Sequence, residues 1–422
     1  MSVAAPTAAR AAASRRLVLL LLMVASAGYV GRVAITVVAP GIIKEFGLTP
    51  AEMGTVFSAF LVGYTLFQLP SGALADRVSA RPIFAVVCVG WSLLTVLTAL
   101  VGWPNPGLKL ALIELWIIRA MFGVVAAPTY PTSGRTLAVT IPASLQARAN
   151  SVVLSSVGIG SAVTPLLLAP IASRYGWRDA LLVPVALCSI AGLLWWWLVP
   201  RDLPAHATPA AVANGHDARD AEESPLHTSS FWFLFASYFL QAYLGYIFVF
   251  WFFLYLVQVR HFDVLNAAAF TALPWVATIF AIPLGGVLSD AALIRWGPAW
   301  GRRVVPMIAL STASLFLVIG ARTPSPSVAV GSLTVCTVLV LCTEGPFWAT
   351  MTHLAGKRSG LAGGAMNFGG NIGGLISPTL TPWLADRIGW EQTLTLTAGL
   401  AIVAGALWLG VYVAEDARRD RS

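Results

Sequence analysis

Charged side chains are scarce inside the long apolar runs, and Arg32, Arg119 and Glu344 are the ones whose placement could do chemistry. A charge near the centre of a bilayer-spanning helix costs at least about 2.5 kcal/mol, so each is a candidate functional group. Arg32 stands 15 residues into the apolar run 17–39, about 22 Å along a helix rising 1.5 Å per residue. Arg119 stands ten residues beyond Lys109, about 15 Å along by the same rise. An arginine stays charged, and its planar fork holds a carboxylate through two hydrogen bonds. The chemistry to expect is therefore capture of an anion. Gly28, Tyr29 and Thr36 lie at i−4, i−3 and i+4 from Arg32, so small and polar groups share its helical face. For Arg119, Glu114 in the same run is an alternative, purely structural partner.

Hydrogen-bonding side chains recur at helical spacing in other apolar runs. Tyr64 and Gln68 are an i, i+4 pair, as are Asn367 and Asn371, and Gln241, Tyr243 and Tyr246 share one run. They are ligand contacts or, alternatively, hydrogen bonds between helices in a membrane. The four cysteines, Cys88, Cys188, Cys336 and Cys342, lie in apolar runs without metal-ligand spacing. They read as small apolar filler. The runs hold no Ser/His pair, no paired carboxylates and no His-based metal motif. The expectation is neither an enzyme nor a protein with a cofactor or metal.

The elements that must position these groups follow from composition. The chain has 422 residues, 58% hydrophobic and only 10% charged, whereas a soluble domain carries about 25% charged residues. Apolar runs of about 20 residues suffice to cross a bilayer. Twelve are expected, at 17–39, 53–75, 82–102, 109–133, 149–171, 179–199, 231–257, 267–289, 304–320, 327–351, 361–384 and 393–413. They should be helices, because lipid leaves backbone groups to be satisfied within the segment. The run after Arg15 and Arg16 ends in Ala25-Ser26-Ala27, as a cleavable leader does. Its apolar pattern continues to Pro40, which favours an uncleaved first span.

The net charge of +8 reports orientation and not a nucleic-acid partner. Of the 26 Lys and Arg, only Lys44, Lys109, Arg174, Arg178, Arg260, Arg322 and Arg387 fall on one side of the predicted topology. Arg32 and Arg119 lie within spans, and the rest fall on the other side, which makes that side and both termini cytoplasmic.

The chain is written twice. Gly160, Pro165, Gly176 and Trp177 match Gly373, Pro378, Gly389 and Trp390 at an offset of 213. Gly72-Ala-Leu-Ala-Asp76 matches Gly286-Val-Leu-Ser-Asp290 at 214. The expected domains are a six-helix bundle over 1–200, a cytoplasmic linker over 201–230 and a second bundle over 231–422. Parallel copies are related by a pseudo-twofold axis along the membrane normal, with a binding cleft at the midplane that rocking exposes to each side in turn. The linker, rich in Ala, Pro, His, Asp and Glu, reads as a tether. Its His206, His216 and His227 read as solvated.

Span 1 and its sequel read Tyr29-Val-Gly-Arg32-Val-Ala-Ile-Thr-Val-Val-Ala-Pro40 and Lys44-Glu-Phe-Gly-Leu-Thr-Pro50. Span 4 contains Arg119-Ala-Met-Phe-Gly, and span 11 reads Met366-Asn-Phe-Gly-Gly-Asn371-Ile-Gly-Gly-Leu-Ile-Ser-Pro378. Gly72-x3-Asp76-Arg77-x3-Arg81 follows span 2. From about residue 15 to 413 the chain resembles the anion:cation symporter family of the major facilitator superfamily, which includes hexuronate, aldonate and aldarate transporters and sialin-like carriers. The resemblance implies an all-α membrane fold of twelve helices and a small organic anion, a sugar acid or another carboxylate, as cargo. It implies that Arg32 binds the carboxylate, and Tyr246 aligns with a tyrosine of the family; Tyr29, Tyr64, Gln68, Arg119, Gln241, Asn367 and Asn371 are expected as further contacts from their places in the spans. It implies that Gly72, Asp76, Arg77 and Arg81, with Asp290 as the second-half copy, hold a conformational state through a neighbouring helix end. A monomer in the plasma (inner) membrane, its partners the anion and the lipid bilayer, is expected.

The chain also departs from that family. Proton-coupled members carry an acid before the span 1 arginine and a glutamate in span 4, and here those positions are Gly31 and Ala126. Two explanations stay open. Transport proceeds by exchange or facilitated diffusion without protons, or Glu344 in span 10 is a relocated proton site, since desolvation favours the neutral acid. Rival readings are an exporter of drugs or metabolites, against which the arginines weigh, and a non-transporting anion sensor, for which the short tails offer no signalling domain.

Overall fold

A computed structural model describes residues 8–103, 107–141, 143–200, 228–355 and 359–412. The expected linker histidines lie outside the described residues, and the Asp76 side chain lies outside the described side chains. Among the described residues every regular element is helical.

The first three spans are single helices, α1 (Ala8–Phe46), α2 (Pro50–Arg77) and α3 (Ala80–Leu100). Several later spans are broken. Span 4 divides into α4 (Leu108–Ala126) and α5 (Thr129–Thr140) on either side of Pro128, which cannot donate to the helix ladder. Span 5 is α6 (Ala143–Leu154) and α7 (Ser156–Tyr175), and span 6 is α8 (Trp177–Ala180) and α9 (Leu182–Leu198). Span 7 comprises α10 (Ser229–Phe250), α11 (Phe252–Leu254) and a π-helical turn, Tyr255–Val259.

Spans 8 and 9 run through one segment, α12 (Val264–Arg322), interrupted at Gly297, whose φ of 71° turns the chain. Span 9, short by sequence, extends over Trp300–Arg322. Span 10 is α13 (Pro326–Cys342) and α14 (Glu344–Ala355), and the last spans are α15 (Ser359–Ile388) and α16 (Trp390–Leu407).

Ten of the helical segments are long and apolar enough to cross a membrane. The remaining two spans, α2 with 28 residues and α15 with 30, are about 42 and 45 Å long. They are less apolar because they carry Tyr64, Gln68, Ser71, Asn367, Asn371 and many glycines.

The described residues fall into two compact units, one drawn from 1–47 and 59–217, the other from 48–58 and 218–422. In the first, α7 packs on α1 at Gly160, where a Cβ would come within 2.6 Å of the Tyr29 Cβ. In the second, α15 packs on α10 at Gly373, where a Cβ would lie 2.3 Å from the Phe239 carbonyl oxygen. Gly176 and Gly389, with φ of 102° and 84°, each precede a helix that begins at Trp177 or Trp390. The sequence repeat therefore marks the same packing and the same turn in each unit.

A proline-freed carbonyl on α15 is recovered by a side chain. Pro382 cannot donate to the Pro378 carbonyl four residues before it, and the Trp251 indole N–H takes that carbonyl at 3.0 Å. The start of α2 joins the second unit here, with Ser58 donating to the Leu375 carbonyl at 2.7 Å.

In the first unit α2 and α4 touch through glycine. A Cβ on Gly123 would lie 2.0 Å from the Phe60 carbonyl oxygen, and one on Gly63 would lie 1.9 Å from that of Ala120. Backbone cannot yield as a side chain does. Gly123→Val is expected to lower the stability of the purified protein by about 3 kcal/mol or more. Gly399→Ala, which meets nothing within 4 Å, should be neutral or slightly stabilising. Thermal unfolding in detergent compares the two.

Candidate functional site

The contact of α2 with α4 sets the geometry around Arg32. Phe60 and Tyr64 on α2 and Tyr29 on α1 surround the guanidinium, with ring centroids 4.5, 5.7 and 5.1 Å from its central carbon. Phe60 and Tyr64 stack on each other at 5.7 Å. The rings' negative faces stabilise a cation in a partly desolvated place by about 0.5–2 kcal/mol each, and they leave its charge in place.

Arg32 lines a cleft with Ala25, Gly28, Tyr29, Phe60, Tyr64, Trp91, Ala126, Thr129 and Tyr130. No carboxylate is among these residues. The cavity measures about 20 Å³, about what one water needs. Several lining groups are hydrogen-bond donors. The Trp91 indole nitrogen and the Thr129 hydroxyl are buried without a hydrogen-bond partner, and Tyr130 lies 3.3 Å from the Ser156 hydroxyl. A buried donor left unmatched is costly, so a lining of this kind suits an acceptor-rich, negatively charged group.

The α4–α5 break at Pro128 places Thr129 and Tyr130 against α1, and the Gly28 backbone leaves room for the Trp91 ring. Sequence reading missed Phe60, Trp91, Thr129 and Tyr130, because nothing in the linear order of α2, α3 and α5 says which residues meet α1. Thr36, expected on the Arg32 face, uses its hydroxyl on the Val33 carbonyl at 2.8 Å. Ala126 lines the cleft, while Gly31 is turned to Phe122, whose ring tip would lie 3.1 Å from a Cβ there.

Arg119 is only 2% exposed and lies over the Phe122 ring at 4.4 Å. Among the described residues no ion pair joins it to Glu114, five positions earlier and on another helical face. Gln68 is half-buried on α2.

In the second unit the expected contacts divide. Gln241, 1% exposed, donates to the Val340 carbonyl at 3.2 Å and to Glu344 at 3.1 Å. The Tyr238 hydroxyl donates to the other Glu344 oxygen at 3.3 Å, which draws α10 and α14 together. Tyr243 pairs with Thr381 at 3.0 Å, a bond between helices. Tyr246 stacks on Phe250 at 5.7 Å and covers Gly374. Asn371 is buried and Asn367 half-buried on α15.

Of the conformational motif, Arg81 reaches a helix end. It donates to the Trp196 carbonyl at 2.8 Å and lies over that indole at 4.3 Å. Arg77 is exposed, and Gly72 has open space around it. Asp290 pairs with Arg302 at 2.9 Å. Trp195 is fully buried against Phe84 at 4.7 Å, while Trp196 and Trp197 beside it are exposed. The four cysteines are free and buried.

The sequence profile of the Major Facilitator Superfamily matches residues 20–378. The chain belongs to the Major Facilitator Superfamily. It is 30% identical over 405 residues to the D-galactonate transporter of Escherichia coli O6:H1, covering 90% of each chain. It is 28% identical over 391 residues to a probable sulfoacetate transporter of Cupriavidus necator, covering 90% of this chain and 89% of that one. It is 26% identical over 388 residues to the hexuronate transporter of Bacillus subtilis, covering 89% of each.

A crystal structure of a bacterial homologue of the human lysosomal transporter Spinster, inward-facing and unoccupied, superposes with a TM-score of 0.79. It is 19% identical and covers 98% of this chain and 99% of that one. This major facilitator protein is thus a multi-pass membrane transporter and not an enzyme, similar to carriers of organic anions.

A small carboxylate that enters the cleft should raise the midpoint of thermal unfolding in a screen of organic acids. For that compound, Trp91→Phe and Thr129→Val each remove one donor to a charged group and should weaken binding about tenfold in calorimetry.

Proposed function

We propose that this transporter carries a small organic anion, a sugar acid or another small carboxylate, across the inner membrane by alternating access. The observation that carries the reading is the Arg32 guanidinium, walled by three aromatic rings in a cleft whose lining holds no carboxylate. Its fork would take the carboxylate through two charge-assisted hydrogen bonds, while the hydroxyls of Tyr29, Tyr64, Thr129 and Tyr130 stand within the same lining. The cargo's own charge would offset the guanidinium while it is bound. Gln68, on the same helix as Phe60 and Tyr64, is proposed as a further polar contact. The names of the similar proteins, carriers of galactonate, hexuronate and sulfoacetate, support the same class of cargo. A monomer with both termini in the cytoplasm completes the reading, the latter from the bias of Lys and Arg.

Counterflow in proteoliposomes tests it without requiring an ion gradient. From a panel of uronates, aldonates, aldarates, sulfocarboxylates and short carboxylates, at least one should exchange. Arg32→Ala should slow that exchange about a hundredfold, the loss of two charge-assisted bonds. If only neutral or cationic compounds move, the organic-anion reading falls.

For coupling, Gly31 and Ala126 stand where proton-coupled relatives are expected to carry acids, which supports exchange or facilitated diffusion. Glu344 gives a second reading specific support. It lies at the start of α14 and is held by neutral donors from Gln241 and Tyr238, and among the described residues no ion pair involves it. Under uncoupled transport, an inward proton gradient of one pH unit should change uptake less than about twofold. If Glu344 carries the proton, that gradient should raise accumulation toward about tenfold, and Glu344→Gln should remove the increment.

A further inference from the structure

A recess of about 360 Å³ opens in the second unit between α13 and the two arms of α12, 264–297 and 300–322. It shares no lining residue with the Arg32 cleft. The first arm lines it with Leu288, Ala291, Ala292, Arg295 and Trp296, whose spacing of i, i+3, i+4, i+7 and i+8 puts them on one helical face. The second arm adds Val305 and Ile308, and α13 adds Leu339 and Cys342. Glycines hold these helices together around the opening. A Cβ on Gly285 would overlap the Cys342 carbonyl oxygen, and one on Gly301 would overlap the Leu293 backbone. Those contacts fix the arms and α13, while the small side chains of Ala291, Ala292 and Ala309 leave the space between them unfilled.

Every lining residue but Arg295 is apolar. Arg295 is exposed, and among the described residues its guanidinium makes no ion pair and no hydrogen bond. Its companion is the Trp296 ring at 5.9 Å, which leaves the charge in place. The other two arginines near this turn are committed. Arg302 pairs with Asp290 at 2.9 Å, and Arg303 donates to the Val411 carbonyl at 2.6 Å. Asp290 itself is not among the residues that line the recess. Trp296 and Trp300 flank the turn at Gly297 and are both exposed, as tryptophans at the boundary between hydrocarbon and headgroups are. From Arg295 to Leu288 the recess follows the helix for about 10 Å. It therefore has a cation at its rim and an apolar interior below.

We propose that this recess binds an anionic phospholipid. One acyl chain lies along Ala291 and Ala292 between the arms, and the phosphate is held at Arg295 through paired charge-assisted hydrogen bonds. Basic pockets between membrane helices take anionic headgroups in this way. By the bias of Lys and Arg the lipid comes from the cytoplasmic leaflet. Each half of the lipid needs the other. A free phosphate gains only an exposed cation, which is worth little in water, and a lipid without net charge gains only the recess. Because the chain touches both arms of α12 and α13, the bound lipid ties the three helices together.

Native mass spectrometry of the full-length, delipidated protein tests this, with phosphatidylglycerol and phosphatidylcholine of identical acyl chains. The first phosphatidylglycerol should bind about tenfold more tightly than the first phosphatidylcholine. Arg295→Gln should bring the two within about twofold of each other, and Arg295→Lys should keep most of the preference. Ala291→Phe fills the recess and should weaken the first phosphatidylglycerol about tenfold with Arg295 still in place, which keeps the test alive if Arg295→Gln does not fold. Glycerol 3-phosphate and inorganic phosphate should leave the bound lipid in place. Equal affinity for the two lipids in the wild type overturns the proposal, as does a preference that survives Arg295→Gln or an affinity that Ala291→Phe does not change. Displacement by glycerol 3-phosphate makes the site one for a free anion and overturns it too. A lipid-free dimer that Ala291→Phe dissociates gives the recess to a second copy of this chain instead. None of these outcomes bears on the cargo, so the organic-anion reading stands or falls separately.

Discussion

Hydrocarbon accepts no hydrogen bonds, and every departure from a plain helix in this protein has to answer to that fact. The chain nevertheless breaks its spans at Pro128, Ser155, Thr343 and Trp251 and carries prolines inside α1, α2, α7 and α15. Two carbonyls at such places are taken by side chains. Trp251 takes the Pro378 carbonyl and Gln241 takes that of Val340; within unbroken helices, threonine hydroxyls are satisfied by the carbonyl four residues earlier, as Thr95 is by Trp91. The breaks are where chemistry collects: Thr129 and Tyr130 follow the first, and Glu344 begins the helix after Thr343.

The same constraint shapes the arginine site. Arg32 is tolerated on a membrane helix because aromatic faces surround its guanidinium and a cleft lies beside it. That enclosure depends on close approach of the helices around it. Gly63 and Gly123 let α2 and α4 touch backbone to backbone, and Gly28 and Gly160 let α3 and α7 close on α1. Phe60, Trp91 and Phe122 then meet as one aromatic layer. Small residues thus fix the positions of large ones, and the large ones decide which charges the cleft exposes and which it hides. The second unit repeats the scheme with Gly373 of α15 packed against α10, but its buried polar centre is an acid, Glu344, held by Gln241 and Tyr238.

Much of this was legible in the residues. Low charge and recurrent apolar runs determined a membrane protein of twelve helices, because a span must be both apolar and long enough whatever it packs against. The 213-residue offset determined the repeat of Gly160, Gly176 and Trp177 in Gly373, Gly389 and Trp390, since close packing and a positive φ admit few substitutes. Arg32 could be singled out because a charge in an apolar run is conspicuous without knowledge of its neighbours.

What only the tertiary structure decided is which groups converge. Gln241, one of several polar residues on its helix, is committed to Glu344 and Val340. Trp195 belongs to the core, while Trp196 and Trp197 beside it are exposed. Trp91, Thr129 and Tyr130 line the Arg32 cleft, and Arg119 lies over Phe122 with no ion pair among the described residues. Periodicity places a side chain on a face of its own helix, but the rotation and approach of the neighbouring helix are set by packing of small and large residues far apart in the chain, and those contacts leave no mark in the local order of residues.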